Sequence, residues 1–210
     1  MPSKLRKQAD IEKKQKTKKN LLDSAIKVFL LKGYHKTKIS DIVTKAEVGQ
    51  GTFYRYFNSK REIFEELLKE LTEEIVLEFS SGNLNMKITP KTFTEYMDMS
   101  KAAFLQLVPI IDRNKDRVQL FLRDASTIDQ DFEDEINEIF DQFVLLAKYY
   151  LDNAIENNFI RKCDTKIVAE LIIGIVIHTL KNWLNNKYNN LHIEELVIES
   201  IKLVFLGLKI

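Results

Sequence analysis

The sequence is poor in the residues that interrupt regular secondary structure, since its 210 residues include 6 Gly and 3 Pro. An all-β sandwich or barrel needs a turn about every 8–12 residues, so this scarcity argues against both folds. The single cysteine, Cys163, excludes an internal disulfide, and no Cys/His cluster has the spacing of zinc ligands. The longest uncharged apolar run, residues 171–180, is too short to span a bilayer.

Catalytic patterns are missing as well. The three histidines, His35, His178 and His192, lie far apart in separate predicted elements. We find neither a phosphate-binding glycine loop nor a nucleophile elbow. The Lys-rich beginning of the chain has no apolar signal core behind it. We therefore expect a cytoplasmic, mostly helical protein that is not an enzyme and needs no metal or cofactor.

Charge is nearly balanced over the whole chain but divided unevenly along it. Lys and Arg total 32 and Asp and Glu total 31, which gives a net charge of +1. Residues 1–62 carry 16 basic and 6 acidic residues, whereas residues 63–210 carry 16 basic and 25 acidic residues. This split predicts a polyanion-binding module beside a module with another task. For residues 1–17 taken alone, a flexible solubilising tail is an equally simple interpretation.

The basic part of the chain has the pattern of several short helices. Apolar residues recur at helical spacing over residues 18–32, and Gly33 is a typical helix end. Ser40 is a suitable N-cap for a short helix over residues 40–46, and residues 50–57 predict a helix of about two turns. Ser59 and Glu62 have the spacing of a capping box that opens a long helix over residues 59–80.

The remaining pattern is helical throughout. A linker is predicted at residues 80–83, and further helices at residues 90–109, 112–126, 129–158, 164–185 and 192–208. The sequence therefore predicts an all-α protein of about nine helices.

Two short helices joined by a tight turn, with a third helix packed on them, form a helix-turn-helix DNA reader. The second short helix has to enter a major groove that is about 12 Å wide. Phe53 and Phe57, four residues apart, would share its inner face. The residues left to face outward carry amide, hydroxyl, phenol or guanidinium groups, which suit base edges and phosphates. They are Gln50, Thr52, Tyr54, Arg55 and Tyr56.

A set of positions in residues 18–68 resembles the DNA-binding signature of TetR-type transcriptional regulators. The matching residues are Gly33, Tyr34, Thr37, Ile39, Asp41, Ile42, Ala46, Val48, Gly51, Thr52, Phe53, Tyr54, Tyr56, Phe57 and Lys60. The resemblance implies a helix-turn-helix domain at residues 18–62 and an effector-binding and dimerisation domain at residues 63–210. It also implies a homodimer that binds a palindromic double-stranded DNA operator and is most often a repressor released by a small molecule.

The resemblance assigns roles to single residues. It implies that Thr37, Tyr54 and Lys60 hold phosphates, and that Gly51 lets the backbone approach DNA. Gln50, Thr52, Arg55 and Tyr56 would lie at or near base edges, and Lys38 completes the predicted DNA-binding set. Alternatives stay open: the two tyrosines as packing residues, Arg55 paired with an acid of its own domain, and Lys60 as a plain surface lysine.

Two positions depart from the family pattern. Glu47 stands where glycine is usual in the turn, and a left-handed backbone there would cost about 1 kcal/mol. Gly49 stands where serine is usual and gives up a side-chain N-cap. Neither change removes the motif, but the geometry of the turn is left open.

The second domain offers candidates for an effector pocket and a dimer interface. Aromatic and Met side chains suit an apolar or amphipathic effector, although each of them is also an ordinary core residue. The predicted pocket residues are Tyr96, Met97, Phe104, Phe121, Phe143, Tyr150 and His178. The last two helices are apolar nearly all round, and pairing with a second copy would bury them. The predicted interface residues are Ile172, Ile175, Val176, Val197, Ile201 and Phe205.

The main rival interpretation is a helical membrane-surface or scaffold protein with a basic N-terminus. A membrane-surface helix needs an apolar face opposite its charges. Residues 1–19 contain Leu5 and Ile11 as their only large aliphatic residues. We therefore predict a protein without a membrane partner.

Overall fold

The structure is a computed structural model that describes residues 2–80, 90–189 and 191–208, with the side chains from residue 6 onward except residues 79 and 80. Within these ranges the chain forms nine α-helices and one short 3₁₀ turn, and no strand. The helices are α1 (Pro2–Lys32), α2 (Ile39–Ala46), α3 (Gln50–Phe53), α4 (Lys60–Ser80), α5 (Phe93–Arg113), α6 (Lys115–Asp124), α7 (Gln130–Glu156), α8 (Thr165–Leu184) and α9 (Ile193–Leu208), with the 3₁₀ turn at Ala125–Thr127. The all-α prediction is confirmed.

Two helix boundaries differ by several residues from the sequence-based expectation. α1 begins at Pro2 and not at Lys18, because the basic segment is rich in Lys and Gln, which favour helices, and contains no Gly. α5 continues through Pro109 to Arg113, although proline offers no N–H to the carbonyl four residues earlier. The predicted linker at 80–83 lies, after Ser80, outside the described residues.

The chain divides into two compact units. The N-terminal unit comprises Met1–Glu73 and Asp116–Asp124, and the C-terminal unit comprises Glu74–Lys115 and Ala125–Ile210. The N-terminal unit thus includes a large part of α4 and most of α6, whereas the sequence suggested a boundary after residue 62.

Segment 116–124 belongs to the N-terminal unit because its side chains pack and pair there. The ring of Phe121 lies 5.2 Å from that of Phe64 in an edge-to-face contact. Arg123 donates to the carbonyls of Phe29 (2.7 Å) and Leu30 (3.0 Å), which lie in the last turn of α1. Asp124 accepts from the backbone N–H of Tyr34 at 3.0 Å. α6 therefore caps the end of α1.

The core of the N-terminal unit comes from the apolar stripes of α1, α2 and α4 and from two phenylalanines. Phe53 and Phe57 are 0% and 2% exposed, as the four-residue spacing predicts. The other buried residues are Leu21, Leu22, Ala25, Ile26, Phe29, Ile42, Val43, Ala46, Ile63, Phe64, Leu67, Leu68 and Leu71.

In the C-terminal unit, α7 and α9 pack on α8, and α5 packs on α9. Asp164 caps α8 as expected, since its carboxylate accepts from the backbone N–H groups of Lys166 and Ile167. The core cluster consists of Tyr96, Leu151, Ala154, Phe159, Ile160, Ala169, Ile201, Phe205 and Leu208.

Candidate nucleic-acid interface and C-terminal site

The loop between α1 and α2 is held by the side chain of Lys60. Its Nζ donates to the carbonyls of Tyr34 (2.7 Å), His35 (3.2 Å) and Thr37 (3.1 Å). The same ammonium lies 4.3 Å from the centroid of the Tyr34 ring. Partial burial lowers the pKa of Lys60. An ammonium has three N–H donors, and these three carbonyls accept from them. The donors that the resemblance implies for a phosphate are therefore engaged inside the unit.

Thr37 also acts inside the unit. Thr37 is 2% exposed, and its hydroxyl donates to the carbonyl of Gly33 at 2.8 Å. The phosphate contact expected of this hydroxyl is therefore not available in this arrangement. Gly33 itself has a φ of 80°, the left-handed conformation that glycine adopts at a helix end.

The start of α2 is fixed by Asp41. Its carboxylate accepts from the backbone N–H of Lys38 at 3.0 Å and from Nζ of Lys32 at 2.7 Å. These two contacts hold the pKa of Asp41 below its ordinary value, the Lys32 contact having the larger effect. The side chain of Lys38 is exposed, as a DNA contact requires.

The turn between α2 and α3 closes in spite of Glu47. Glu47 adopts a left-handed conformation with φ 56° and ψ 41°. The N–H of Val48 donates to the carbonyl of Val43 at 3.0 Å, and that of Glu47 donates to the carbonyl of Thr44 at 3.2 Å. This is the hydrogen-bond pattern of a Schellman cap, which glycine usually makes. Glu47 therefore strains the turn without distorting it.

The segment that follows is shorter as a regular helix than expected. α3 has 4 residues. After it, the backbone N–H of Arg55 donates to the carbonyl of Thr52 at 3.3 Å, and the backbone N–H of Tyr56 donates to the carbonyl of Phe53 at 2.9 Å. Bonds of this i to i+3 type define a tighter turn than the α-helix. The reading segment, which we define as residues 50–57, is thus one helical turn followed by a tight turn, and Phe53 and Phe57 still anchor it.

The polar residues of the reading segment face away from this anchor. Tyr54 is 53% exposed, Gln50, Gly51 and Arg55 are exposed, and Thr52 and Tyr56 are half-buried. Nη2 of Arg55 donates to the hydroxyl of Thr52 at 3.2 Å. A Cβ placed on Gly51 would meet no atom within 4 Å. The surface therefore presents amide, hydroxyl, phenol and guanidinium groups together.

The start of α4 carries a variant of the predicted capping box. The hydroxyl of Ser59 accepts from the backbone N–H of Glu62 at 3.1 Å, as expected. The carboxylate of Glu62, however, accepts from the backbone N–H of Asn58 (2.6 Å) and from its side-chain amide (2.9 Å). This cap ties the end of the reading segment to α4.

Most of the predicted effector residues lie in the C-terminal unit. Tyr96 is buried and donates its hydroxyl to the carbonyl of Tyr150 at 2.9 Å. Burial raises the pKa of both tyrosines. Met97 and Phe104 are partly buried against the same core cluster, and Phe143 is half-buried.

Two of the predicted effector residues lie apart from this core cluster. Phe121 lies in the N-terminal unit, where it packs against Phe64. His178 is exposed, and its Nε2 lies 2.8 Å from the side-chain amide of Asn182. Residue type and position in the second domain single out both residues, but neither property shows which neighbours a side chain has in the fold.

The outer face of α8 and α9 differs from the predicted interface. Ile201 and Phe205 are buried in their own core, and the Phe205 ring lies 5.5 Å from that of Tyr96, so they are not surface residues. Ile172, Ile175, Val176 and Val197 are half-buried. The large apolar side chains that remain exposed on these helices are Ile167, Leu171, Leu203 and Leu206, at 55–68%. We call these four residues the outer face.

α8 stands out for its composition. Of the described helices it alone is long and apolar enough to cross a membrane, and 6% of its apolar window is buried. The expectation that this apolar run is too short to span a bilayer counted only the uncharged residues 171–180, and it does not hold for α8 as a whole. Length and composition are weak evidence for a membrane span, because a helix that packs against another protein has the same features. Among the described residues, no group of three or more His, Cys, Asp or Glu side chains could hold a metal ion.

The two short helices, the capped turn and the exposed polar reading segment define a helix-turn-helix DNA-binding protein. Residues 21–67 match the family described as bacterial regulatory proteins, tetR family. The chain is 30% identical over 165 residues to the uncharacterized HTH-type transcriptional regulator YvdT of Bacillus subtilis, covering 78% of this chain and 80% of YvdT. The protein belongs to the TetR family of bacterial regulators, and it is a transcriptional regulator.

Two further comparisons extend along most of the chain. It is 27% identical over 193 residues to the fatty acid metabolism regulator protein of Bacillus subtilis, covering 90% of this chain and 96% of the relative. The crystal structure of the Bacillus subtilis regulator FadR in complex with stearoyl-CoA has the same fold, with a TM-score of 0.71 and 19% identity, covering 90% of this chain and 98% of FadR.

Proposed function

We propose that this regulator is a ligand-responsive repressor that binds a pseudo-palindromic DNA operator as a homodimer. The observation that carries the proposal is the reading segment. Tyr54 is 53% exposed there, while Phe53 and Phe57 beneath it are 0% and 2% exposed. Polar side chains on a segment anchored in this way are held rigidly enough to meet base edges and phosphates.

The proposed DNA contacts follow from exposure. Tyr54 and Lys38 bind phosphates, and Gln50, Thr52, Arg55 and Tyr56 lie at or near base edges. The open space around Gly51 admits the DNA backbone or a base edge. Lys60 and Thr37 act differently: they position the loop that precedes α2, through the carbonyls of Tyr34, His35 and Gly33.

The outer face is the surface that we propose for dimerisation. Its four aliphatic side chains come from adjacent helices of one unit. Burying such side chains contributes about 25 cal/mol per Å² of apolar surface, which favours pairing with a second copy. A two-fold dimer carries two reading segments, and these match half-sites about 34 Å apart on one side of the DNA.

We propose a long-chain acyl-CoA as the effector. The relative named as a fatty acid metabolism regulator and the stearoyl-CoA complex of FadR support this class of ligand. Tyr96, Met97, Phe104, Phe143 and Tyr150 supply apolar and aromatic surface in the C-terminal unit, which suits an acyl chain.

In the proposed mechanism the effector shifts a population of dimer states. α4 belongs to the N-terminal unit up to Glu73 and to the C-terminal unit from Glu74, so it links the two covalently. Stearoyl-CoA has to bind one state more tightly than the other to change operator affinity. We further propose that residues 18–62 form the domain that supplies the DNA contacts named above, and that residues 63–210 bind effector and partner. We also propose that the protein acts in the cytoplasm without enzymatic activity.

The test begins with selection of duplexes from a random oligonucleotide library by the purified protein. The selected duplex is then bound with and without stearoyl-CoA, and with Tyr54→Ala. We expect tight binding that stearoyl-CoA weakens and that Tyr54→Ala weakens at least tenfold. Tyr149→Ala is the matched control, because Tyr149 is also an exposed tyrosine, at 66%, but lies on α7. Equal affinity for all duplexes would refute the proposal.

A further inference from the structure

We propose that the first half of α1 is a second DNA-binding surface, which holds the phosphate backbone outside the sequence that the reading segment contacts. The proposal rests on the proposed operator binding and extends it. It assigns a role to the basic segment that the helix-turn-helix itself does not use.

The first half of α1 is a helix without a partner inside its own unit. The first residue of α1 that belongs to the core is Leu21, whereas all residues from Arg6 to Lys16 are exposed. At 1.5 Å per residue, the segment from Arg6 to Asn20 extends about 22 Å. Duplex DNA carries a phosphate charge for each ~1.7 Å of its axis, so a helix of this length can reach several phosphates.

The charge of this segment matches a polyanion. Residues 6–19 contain 7 basic and 2 acidic residues. The basic residues are Arg6, Lys7, Lys13, Lys14, Lys16, Lys18 and Lys19, and they lie on all sides of the helix. Ile11, which is 49% exposed, is the one large aliphatic residue among them. A bilayer surface would require an apolar stripe, whereas DNA phosphates require only the positive charge.

The exposed half of α1 also begins next to the helix-turn-helix, where a bound duplex would lie. Asn20 donates its side-chain amide to the carbonyl of Ala46 at 2.7 Å, and Ala46 is the last residue of α2. Nζ of Lys18 lies 6.0 Å from the ring centroid of Phe57, the last residue of the reading segment. The exposed half of α1 therefore begins close to both Ala46, which precedes the turn, and Phe57, which ends the reading segment. A duplex bound to the reading segment would extend from there along the DNA next to the contacted bases.

Lys13, Lys14 and Lys16 are the residues to test, because all three are exposed. Lys18 is unsuitable, since it pairs with Glu66. In the triple variant Lys13→Gln, Lys14→Gln and Lys16→Gln, glutamine keeps a helix propensity close to that of lysine. The affinities of the full-length protein for the selected duplex and for a random-sequence duplex are measured from 50 to 200 mM salt.

Each phosphate contact contributes about 0.9 to the slope of log affinity against log salt. Lys13 and Lys16, three residues apart, share one side of the helix. Loss of these two contacts lowers the slope by about 1.8, so the affinity ratio of wild type to variant shrinks roughly 12-fold over this salt range. Both duplexes should be affected equally. The control Lys91→Gln, Lys162→Gln and Lys187→Gln makes the same charge change at exposed sites of the C-terminal unit and should leave the slope unchanged.

An unchanged slope in the first variant, with unchanged helicity by circular dichroism, would overturn the proposal. Binding to vesicles of three parts phosphatidylcholine and one part phosphatidylglycerol is measured for the same variant. An unchanged salt slope together with a loss of vesicle binding would also overturn the proposal and would assign the segment to a membrane surface. Failure of the operator proposal looks different, because the wild type itself would then show no preference for the selected duplex.

Discussion

The ammonium of Lys60 lies against the ring of Tyr34, 4.3 Å from its centroid, and donates to the carbonyl of the same residue at 2.7 Å. Two more carbonyls, those of His35 and Thr37, complete its set of acceptors. The first residue of α4 is thereby joined to the loop that leads into α2. The helix-turn-helix is held by this contact as well as by its buried side chains.

Replacing Lys60 by methionine tests this role. Hydrogen bonds to a charged group contribute about 1.5–3 kcal/mol each at most, so we expect Lys60→Met to lower the free energy of unfolding by about 2 kcal/mol. Urea unfolding in the absence of DNA measures this loss of free energy of unfolding. If Lys60 served only to hold a phosphate, stability would be unchanged and only operator affinity would fall.

Glu47→Gly should stabilise the protein. A non-glycine residue in the left-handed region costs about 1–2 kcal/mol, and Glu47 has a φ of 56°. We expect a gain of about 1 kcal/mol in urea unfolding, together with higher operator affinity because an acid beside the reading segment is removed.

Glu47→Ala separates the two effects. Alanine removes the negative charge but keeps the strained backbone, so this variant should gain affinity and no stability. A gain of stability equal to that of Glu47→Gly would show that repulsion, and not backbone strain, is the cost at this position.

Gly51→Ala should separate folding from DNA binding. A Cβ at this position meets no atom within 4 Å, and alanine favours the helix over glycine by about 0.5–1 kcal/mol. We therefore expect a slightly more stable protein, as measured by thermal unfolding. If DNA approaches the backbone here, the same variant binds the selected duplex more weakly, and an unchanged affinity would remove Gly51 from the interface.

The stability supplied by Asp41 should depend on pH. Its pKa lies below the ordinary 3.8 because Lys32 and the backbone N–H of Lys38 stabilise the carboxylate. The contribution is therefore complete above pH 3.8 and is lost as the pH falls below that value through the pKa of the folded state.

We expect Asp41→Asn to lower stability at pH 7 and to lose this difference near the acid limit of folding. Urea unfolding as a function of pH measures the effect. Asp10→Asn makes the same substitution on an exposed part of α1 and is the control. A difference for Asp41→Asn that stays constant down to the acid limit would contradict the assignment.

The outer face can be tested by a single charge. Leu171→Lys places an ammonium among apolar side chains, so we expect sedimentation to show monomers and operator affinity to fall. Leu145→Lys is the control, because Leu145 is similarly exposed (64% against 61%) but lies on α7. Dimers of Leu171→Lys that are as stable as the wild type would place the interface elsewhere.

The sequence predicts the helix-turn-helix well because its signals are local. The spacing of Phe53 and Phe57 and the cap at Ser59 depend on residues within one or two turns. Thr37 and Lys60 are harder, since their partners are backbone carbonyls of the loop, which no side-chain pattern reveals.

The C-terminal unit shows the opposite case. When a helix is apolar nearly all round, periodicity cannot tell the inner side from the outer side. Periodicity therefore assigns Ile201 and Phe205 to the dimer interface, although they are buried within the unit. Phe121 depends on a contact with Phe64, a residue 57 positions earlier in the sequence, which spacing along one helix cannot show.

The docking of residues 116–124 onto the N-terminal unit limits how the protein can be divided. A fragment that stops at Glu73 would keep the reading segment but lose Arg123 and Asp124. The carbonyls of Phe29 and Leu30 and the amide of Tyr34 would then have to turn to water, and Phe64 would lose the ring of Phe121. The DNA-binding half is completed only after the chain has passed through the other half, so it cannot be obtained intact by truncation.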